Sequence, residues 1–531
     1  METKILKGPE DVSGFPRTSV GQIYFDRIKS FEDKACFIEA ETGDSITFNE
    51  ILWKSVKMSS ALRRLGLMKH DIVTIISATR IDYFVPYLAC LYNGYTVNLL
   101  NIEFTAYEIE RYLQQTKTKL VFTSLKALVK VQQVKSRCPC LDTIVLFGSS
   151  TDNVLDSERI LTLGDEDVDN FVVEPVDPDT HIALMLCSSG TTGLPKAVQL
   201  THTNLRMSLF QTGPNYMDIK RSDVMFYTLP INHVIHTLPM SSALIYGGTV
   251  VLSKRFEPDL FFSTIQKYKV NKMLVVPQLL NYMSRSSLAN NYDLTTLTNI
   301  HCGSAGIHID NIQKFLDRFP HCQFRQMYGL TESSGAIAIN SGNGQYLESI
   351  GKVVENNEAI IRDFETGNML GCDQTGELCF RGDSISVGYY GNETATRDAI
   401  DEDGWFKTGD VAYYNKDGYI FLIDRIKDII KYKAYQVSPS EIQSVIMLNP
   451  DVEECAVIGV PDERSEELPF AYIVLKNGSK CSEKDIHNLV EDHLIYYKHL
   501  RGGIKFVDEI PKNNLGKIDR KLLKKIWDSE M

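Results

Sequence analysis

Short apolar runs punctuate the first part of the chain, and each gives way to a longer polar or helix-periodic stretch. Residues 72–76, 120–122, 143–147, 224–226 and 273–276 are of this kind. β-Branched and aromatic residues dominate them, as a strand covered on both faces requires. Such strands alternating with helical segments predict α/β layers. Past residue 345 the spacing shortens: residues 376–380, 411–414 and 419–423 read as close strands, with the hairpin signal Asp417-Gly418 between the last two. This part is expected to be mainly antiparallel. The polar stretch 424–428 follows directly and marks a boundary. It divides the chain into a large domain, 1–426, and a small one, 427–531. The small part holds two helix candidates and strands such as residues 472–475, enough for an α+β domain. No short repeat or low-complexity segment is visible in either.

Composition narrows the classes. A chain of 531 residues, 43% hydrophobic and 23% charged, is globular and long enough for several cores. Its formal charge of −12 argues against a whole-chain footprint on nucleic acid or anionic membrane. The eleven cysteines include no zinc-spaced Cys/His set, so reduced and mostly buried thiols are expected. The apolar residues 83–100 are interrupted by Pro86, Asn93 and Gly94 and read as core, not as a membrane span. No apolar leader follows Met1, and residues 527–531 do not carry the Ser-Lys-Leu address. The expectation is an intracellular, cytoplasmic protein acting as a monomer.

Candidate chemistry is densest where a buried-strand pattern, residues 182–186, runs into Ser188-Ser189-Gly190-Thr191-Thr192-Gly193-Leu194-Pro195-Lys196. Glycines let backbone N–H groups approach a polyphosphate, hydroxyls donate, and a lysine offsets charge. A plain Ser/Thr/Gly turn has the same composition. The spacing is not that of a Walker A loop, because Gly190 and Gly193 are too close and Lys196 follows proline. Between Lys498 and Lys525 nine basic residues face three acidic ones. Lys521, Lys524 and Lys525 suit a solvated helix face. Lys517, in a Gly-containing loop, is placed where a mobile cation can approach a phosphate.

With Tyr328-Gly329-Leu330-Thr331-Glu332, Thr408-Gly409-Asp410, Asp424-Arg425-Ile426-Lys427, Lys431-Tyr432-Lys433 and Gly516-Lys517-Ile518-Asp519, in that order, the chain resembles the adenylate-forming superfamily. That superfamily includes acyl-CoA synthetases, aryl-CoA ligases and insect luciferases. The resemblance spans nearly the whole chain and lies nearest the insect luciferases, of the fly-larva glow-worm type. It implies a large domain of αβαβα-type layers with a β-barrel-like antiparallel part, and a small mobile α+β domain. It also implies ATP and Mg²⁺ as cofactors and a carboxylic acid, a luciferin or a fatty or aryl acid, as substrate.

Residue by residue, the resemblance makes Ser188 to Gly193 and Lys196 the phosphate loop. Gly303 and Ala305 form the adenine-facing turn after a strand ending at Ile300. Thr331 is a partner for the α-phosphate, within the motif that starts at Tyr328 and Gly329. Glu332 is the magnesium ligand, since a hard carboxylate oxygen suits that cation. Asp410 accepts from the ribose hydroxyls, Arg425 supports the nucleotide, and His233 lines the acyl pocket. Lys517 balances charge during adenylation. Lys427 is the hinge, about which the small domain turns to bring Lys431 to the adenylate.

The acyl-adenylate then meets either O₂, with light emission, or coenzyme A. Ala434 stands where ligases usually have a glycine bordering the pantetheine tunnel, which favours the oxidative outcome. Met327 replaces the usual glycine before the core tyrosine and is expected to reshape the acyl pocket. No secure counterpart of the beetle pocket arginine appears near Arg206 or Gln211, so a luciferin other than the beetle one is expected. A CoA ligase and a catalytically silent binding homologue are the alternatives. Retention of Lys196, Glu332, Asp410 and Lys517 argues against the silent one.

Overall fold

The computed structural model describes the chain apart from residues 1–3, 11–15, 32, 150–153, 189–195, 212, 214–215, 229, 308, 341–343, 433–434, 463, 514–516 and 531. Among the described residues the strands assemble into four sheets. The first is eight-stranded and centres on Thr96–Leu99 and Ile72–Ile76, which pair in parallel. Ile182–Ser188 lies parallel to Thr96–Leu99 and turns back into the antiparallel strand Lys196–Thr201. The second is nine-stranded, with a parallel run that includes Lys272–Val275, Asn299–Cys302 and Gln323–Leu330.

Helices fill the space between these two sheets and cover their outer faces. Val20–Lys29, Phe48–Arg64, Phe84–Tyr92 and Val234–Tyr246 share one core with strand residues of both sheets. Phe84–Tyr92 is buried at every position, as the apolar run 83–100 predicted. No helix among the described residues is long and apolar enough to cross a membrane. Phe48–Arg64 starts at a capping box, in which Thr47 Oγ1 accepts from the Glu50 N–H and Glu50 Oε2 accepts from the Thr47 N–H. Helices Pro258–Tyr268, Pro277–Arg285 and Ile309–Arg318 pack outside the second sheet, and Ala106–Thr116 and Leu125–Lys135 outside the first. The layers are therefore α, β, α, β, α, driven by sheets that are apolar on both faces.

The antiparallel part is the third sheet, Leu6–Lys7, Asn357–Arg362, Gly376–Gly382, Phe406–Tyr414 and Ile420–Arg425 in spatial order. Its last two strands form the hairpin that Asp417-Gly418 signalled, with Gly418 at φ 78°. The chain leaves this sheet at Arg425 and enters the fourth at Ile430. There Val452–Asp462 and Glu466–Leu475 form a long antiparallel pair, with Pro439–Ile446 and Arg520–Glu530 packed on it. All eleven cysteines are free. Two local readings are adjusted: the strand expected to stop at Ile300 runs to Cys302, and Lys196 opens a strand instead of ending a loop. Both strands gain ladder hydrogen bonds from a neighbour that local sequence does not reveal.

Candidate active site

A cavity of about 440 Å³ opens where strands of the first and second sheets end. That is where open parallel sheets bind ligands, because the loops there diverge. Ser188 ends one strand, and Lys196 lies opposite it at the start of the next. Both line the cavity. Ser189, Gly190, Thr191, Thr192 and Gly193 lie outside the described residues, as do Ala434 and Gly516. Gly303 follows Asn299–Cys302 directly, and a Cβ there would come within 2.9 Å of the Met327 carbonyl oxygen. Its neighbour Ser304 faces the cavity, whereas Ala305 is exposed and is not part of the lining.

The strand Gln323–Leu330 delivers Met327, Tyr328, Gly329 and Leu330 to the wall, and a single 3₁₀ turn then presents Thr331 and Glu332. Gly329 must be glycine, since a Cβ would lie 1.9 Å from the Gly335 carbonyl oxygen on the paired strand. The Tyr389 hydroxyl donates to Glu332 Oε1 at 3.0 Å, and the Lys196 ammonium sits 4.5 Å from the Tyr389 ring centroid. Sequence reading missed Tyr389, whose only signal is a preceding glycine at φ 120°.

Asp410 is buried directly behind the lining, bonded to two residues that belong to it. Its Oδ2 accepts from the Tyr328 hydroxyl at 2.5 Å, and its Oδ1 pairs with Arg425 Nε at 2.7 Å. Burial raises the pKa of this carboxyl, against the opposing pull of Arg425, Tyr328 and Lys517. Burial also works against the charge of Arg425, but the Asp410 carboxylate leaves its pKa raised, so it stays cationic. The turn before Asp410 is held from behind: Thr408 Oγ1 accepts the Asp410 N–H at 3.0 Å, and Glu377 Oε1 accepts the Gly409 N–H at 3.2 Å. Glu377 is a second residue that sequence reading missed.

The small domain contributes Asn513 and Lys517 to the same cavity. Their loop is closed at its neck, where the Asn513 N–H donates to the Lys517 carbonyl at 2.8 Å and the Lys517 N–H to Asn513 Oδ1 at 3.1 Å. Burial, and next the Arg425 charge, lower the Lys517 pKa to about 8, with Asp410 pulling the other way. His233 immediately precedes Val234–Tyr246 and lines the cavity. Burial and the Lys517 charge bring its pKa to about 4, so its ring is neutral at neutral pH. Lys431 is not part of this assembly. It is exposed on Ile430–Tyr432, and its N–H donates to Glu467 Oε2 at 2.9 Å.

The profile of the AMP-binding enzyme family matches residues 24–390, and that of its C-terminal domain matches residues 441–517. The chain belongs to the AMP-binding enzymes. Curated relatives of this AMP-binding enzyme include a luciferin 4-monooxygenase of Photinus pyralis, 36% identical over 98% of this chain and 97% of the relative. They also include the peroxisomal OPC-8:0-CoA ligase 1 of Arabidopsis thaliana, 34% identical over 97% and 94%. Among solved structures, the natural red-emitting luciferase of Phrixothrix hirtus matches with a TM-score of 0.77, 29% identity and 99% coverage of both chains. This AMP-binding enzyme is thus an adenylate-forming enzyme whose substrate is a carboxylic acid.

Among the described residues no group of three or more His, Cys, Asp or Glu forms a metal cage. A lone carboxylate such as Glu332 suits Mg²⁺, which keeps waters and shares its coordination with substrate phosphates.

Proposed function

We propose that the protein adenylates a carboxylic acid at the expense of ATP and then oxidises the acyl-adenylate with O₂, emitting light. The first half rests on one observation: Lys517 of the small domain lines the same cavity as Arg425 of the large one, whose guanidinium is paired with the buried Asp410. Asp410 accepts from the ribose hydroxyls. Ser188, Thr331 and Lys196 engage the phosphates, and the turn at Gly303 and Ser304 backs the adenine. Glu332 holds the Mg²⁺ that arrives with ATP. A carboxylate oxygen of the acid attacks the α-phosphorus, the bond to the bridging oxygen breaks, and pyrophosphate leaves with the electron pair. The Lys517 ammonium offsets the negative charge that builds up, and the fixed dipoles around it need no reorganisation.

The acyl end of the cavity is lined by Met217, Val234, Ile235, Leu238, Leu274 and Met327. Apart from the neutral His233 it presents no ionisable side chain among the described lining residues, which favours an acid with an uncharged tail. An apolar chamber also suits the oxidative half. His233 is then the group able to accept the proton lost from the carbon beside the activated carbonyl. O₂ adds to that carbon. The terminal peroxide oxygen attacks the acyl carbon and expels AMP to close a four-membered peroxide ring. Cleavage of its O–O and C–C bonds releases carbon dioxide and leaves an excited carbonyl. Rotation about Lys427 brings Lys431 to this step.

The second reading is thioester formation with coenzyme A. The 34% identity to the Arabidopsis CoA ligase favours it. Purified protein is incubated with ATP, magnesium chloride and candidate acids, with and without coenzyme A, while pyrophosphate, thioester and photons are followed. Light without coenzyme A is expected. Thioester with no light from any acid or tissue extract overturns the oxidative half. Absence of pyrophosphate with every acid overturns adenylation.

A further inference from the structure

One side chain touches both charged groups that flank the phosphate end of the cavity. Tyr389 donates its hydroxyl hydrogen to Glu332 Oε1 and lends its ring face to Lys196 Nζ. The ring is 8% exposed, so neither contact is a chance surface encounter. Its backbone is fixed with equal care. Tyr389 lies directly opposite Val198 in an antiparallel pairing, two residues along the strand from Lys196 and on the same face. The Tyr389 N–H donates to Thr396 Oγ1 at 3.0 Å, and the Tyr390 N–H to the Ala197 carbonyl at 2.8 Å. Gly388 permits the close approach, because a Cβ there would lie 2.4 Å from Thr396 Cγ2. The same segment holds the backbone of Glu332 through the Ser386 N–H, which donates to the Glu332 carbonyl at 2.8 Å. Glu332 is therefore held by main chain and side chain from one short stretch, and Lys196 is tethered to it through one ring.

We infer that Tyr389 is a positioning residue for the magnesium–nucleotide complex. Its hydroxyl occupies Oε1 of Glu332 and leaves Oε2 for the cation, while its ring seats the Lys196 ammonium at a set distance from that carboxylate. The assignment rests on the reading of Glu332 and Lys196 as the magnesium and phosphate groups. The two contacts act on different ligands. Losing the hydroxyl frees the carboxylate to rotate and weakens the hold on the cation. Losing the ring as well releases Lys196 and weakens the hold on the phosphates even without the cation.

Equilibrium binding of ATP to the full-length protein, measured over a magnesium titration and again in excess chelator, separates the two. Tyr389→Phe should raise the half-saturating magnesium concentration about tenfold, in keeping with loss of a hydrogen bond to a charged group. Its magnesium-free ATP binding should stay within about twofold of the unaltered protein, as the ring persists. Tyr389→Leu should in addition weaken magnesium-free binding roughly threefold, the scale of a modest cation–π contact. In a Glu332→Gln background, Tyr389→Phe should no longer move the magnesium titration. Two independent, additive shifts would mark a merely structural role and overturn the assignment. An unshifted titration for Tyr389→Phe overturns it too, and that arm decides even if Tyr389→Leu does not fold. If the unaltered protein binds no ATP, the nucleotide-site reading fails, and the tyrosine's role with it.

Discussion

Two lysines of the small domain have opposite fates. Lys517 is drawn into the cavity beside Arg425 and Asp410, and its pKa falls to about 8. Lys431 stands in solvent on the strand Ile430–Tyr432, outside the lining. Both follow the polar segment in which the chain passes from the third sheet to the fourth. Basic residues are common in this domain, so charge does not separate the two. What separates them is which face of the domain is turned to the large one. In this arrangement the domain offers one lysine to the cavity and withholds the other.

The buried lysine carries the largest expected effect. Lys517→Ala should lower pyrophosphate release by on the order of 10²–10³, the usual cost of one preorganised charge-stabilising group. Near-normal release would remove Lys517 from the adenylation step. Asp410→Asn comes next. It should weaken ATP binding about ten- to a hundredfold and lower unfolding stability by about 1–3 kcal/mol, since Arg425 and Tyr328 lose a buried charged partner. Paired nucleotide titrations and urea melts check both figures.

The pH profile sharpens the same contrast. Lys517 carries its proton below a pKa of about 8 and loses it above. Adenylation should therefore fall roughly tenfold between pH 7 and pH 9. Lys517→Arg, always charged, should flatten that limb even at a lower absolute rate. A wild-type limb that persists unchanged in the arginine variant would assign the fall to another group. The smallest effect is expected at the exposed end. Lys431→Ala should alter pyrophosphate release by no more than about twofold, as surface charges away from a site contribute little. A large loss in that first half-reaction would mean that the domain arrangement described above is not the one that adenylates.

Much of the fold was legible because its signals are local. The runs at residues 72–76, 120–122 and 143–147 became parallel strands of one sheet, and those at 224–226 and 273–276 strands of the other. A strand covered on both faces needs an unbroken apolar run, and such a run is visible without knowing the neighbours. Asp417-Gly418 announced its hairpin for the same reason. The site was legible where a motif carries its own geometry: Ser188, Lys196, Tyr328, Gly329, Thr331, Glu332, His233, Arg425 and Lys517 all line one cavity. Asp410 stands directly behind that lining, bonded to Tyr328 and Arg425.

Tyr389 and Glu377 were not legible. Tyr389 meets a partner 57 residues away, and Glu377 supports a turn 32 residues away. Nothing in the neighbouring sequence distinguishes either from an ordinary strand residue. Ala305 shows the converse, since its motif neighbour Ser304 turns to the cavity and it turns to solvent.

The layers, the order of the motifs and the inventory of charges are written in the primary structure, because periodicity and turn chemistry act between residues a few positions apart. Tertiary structure alone decided which charges are desolvated. Asp410, Lys517 and His233 take their shifted pKa values from burial first; the Arg425 charge comes next for Asp410 and Lys517, and the Lys517 charge for His233. Desolvation depends on everything packed around a group, and here that packing comes from two domains whose meeting no local pattern encodes.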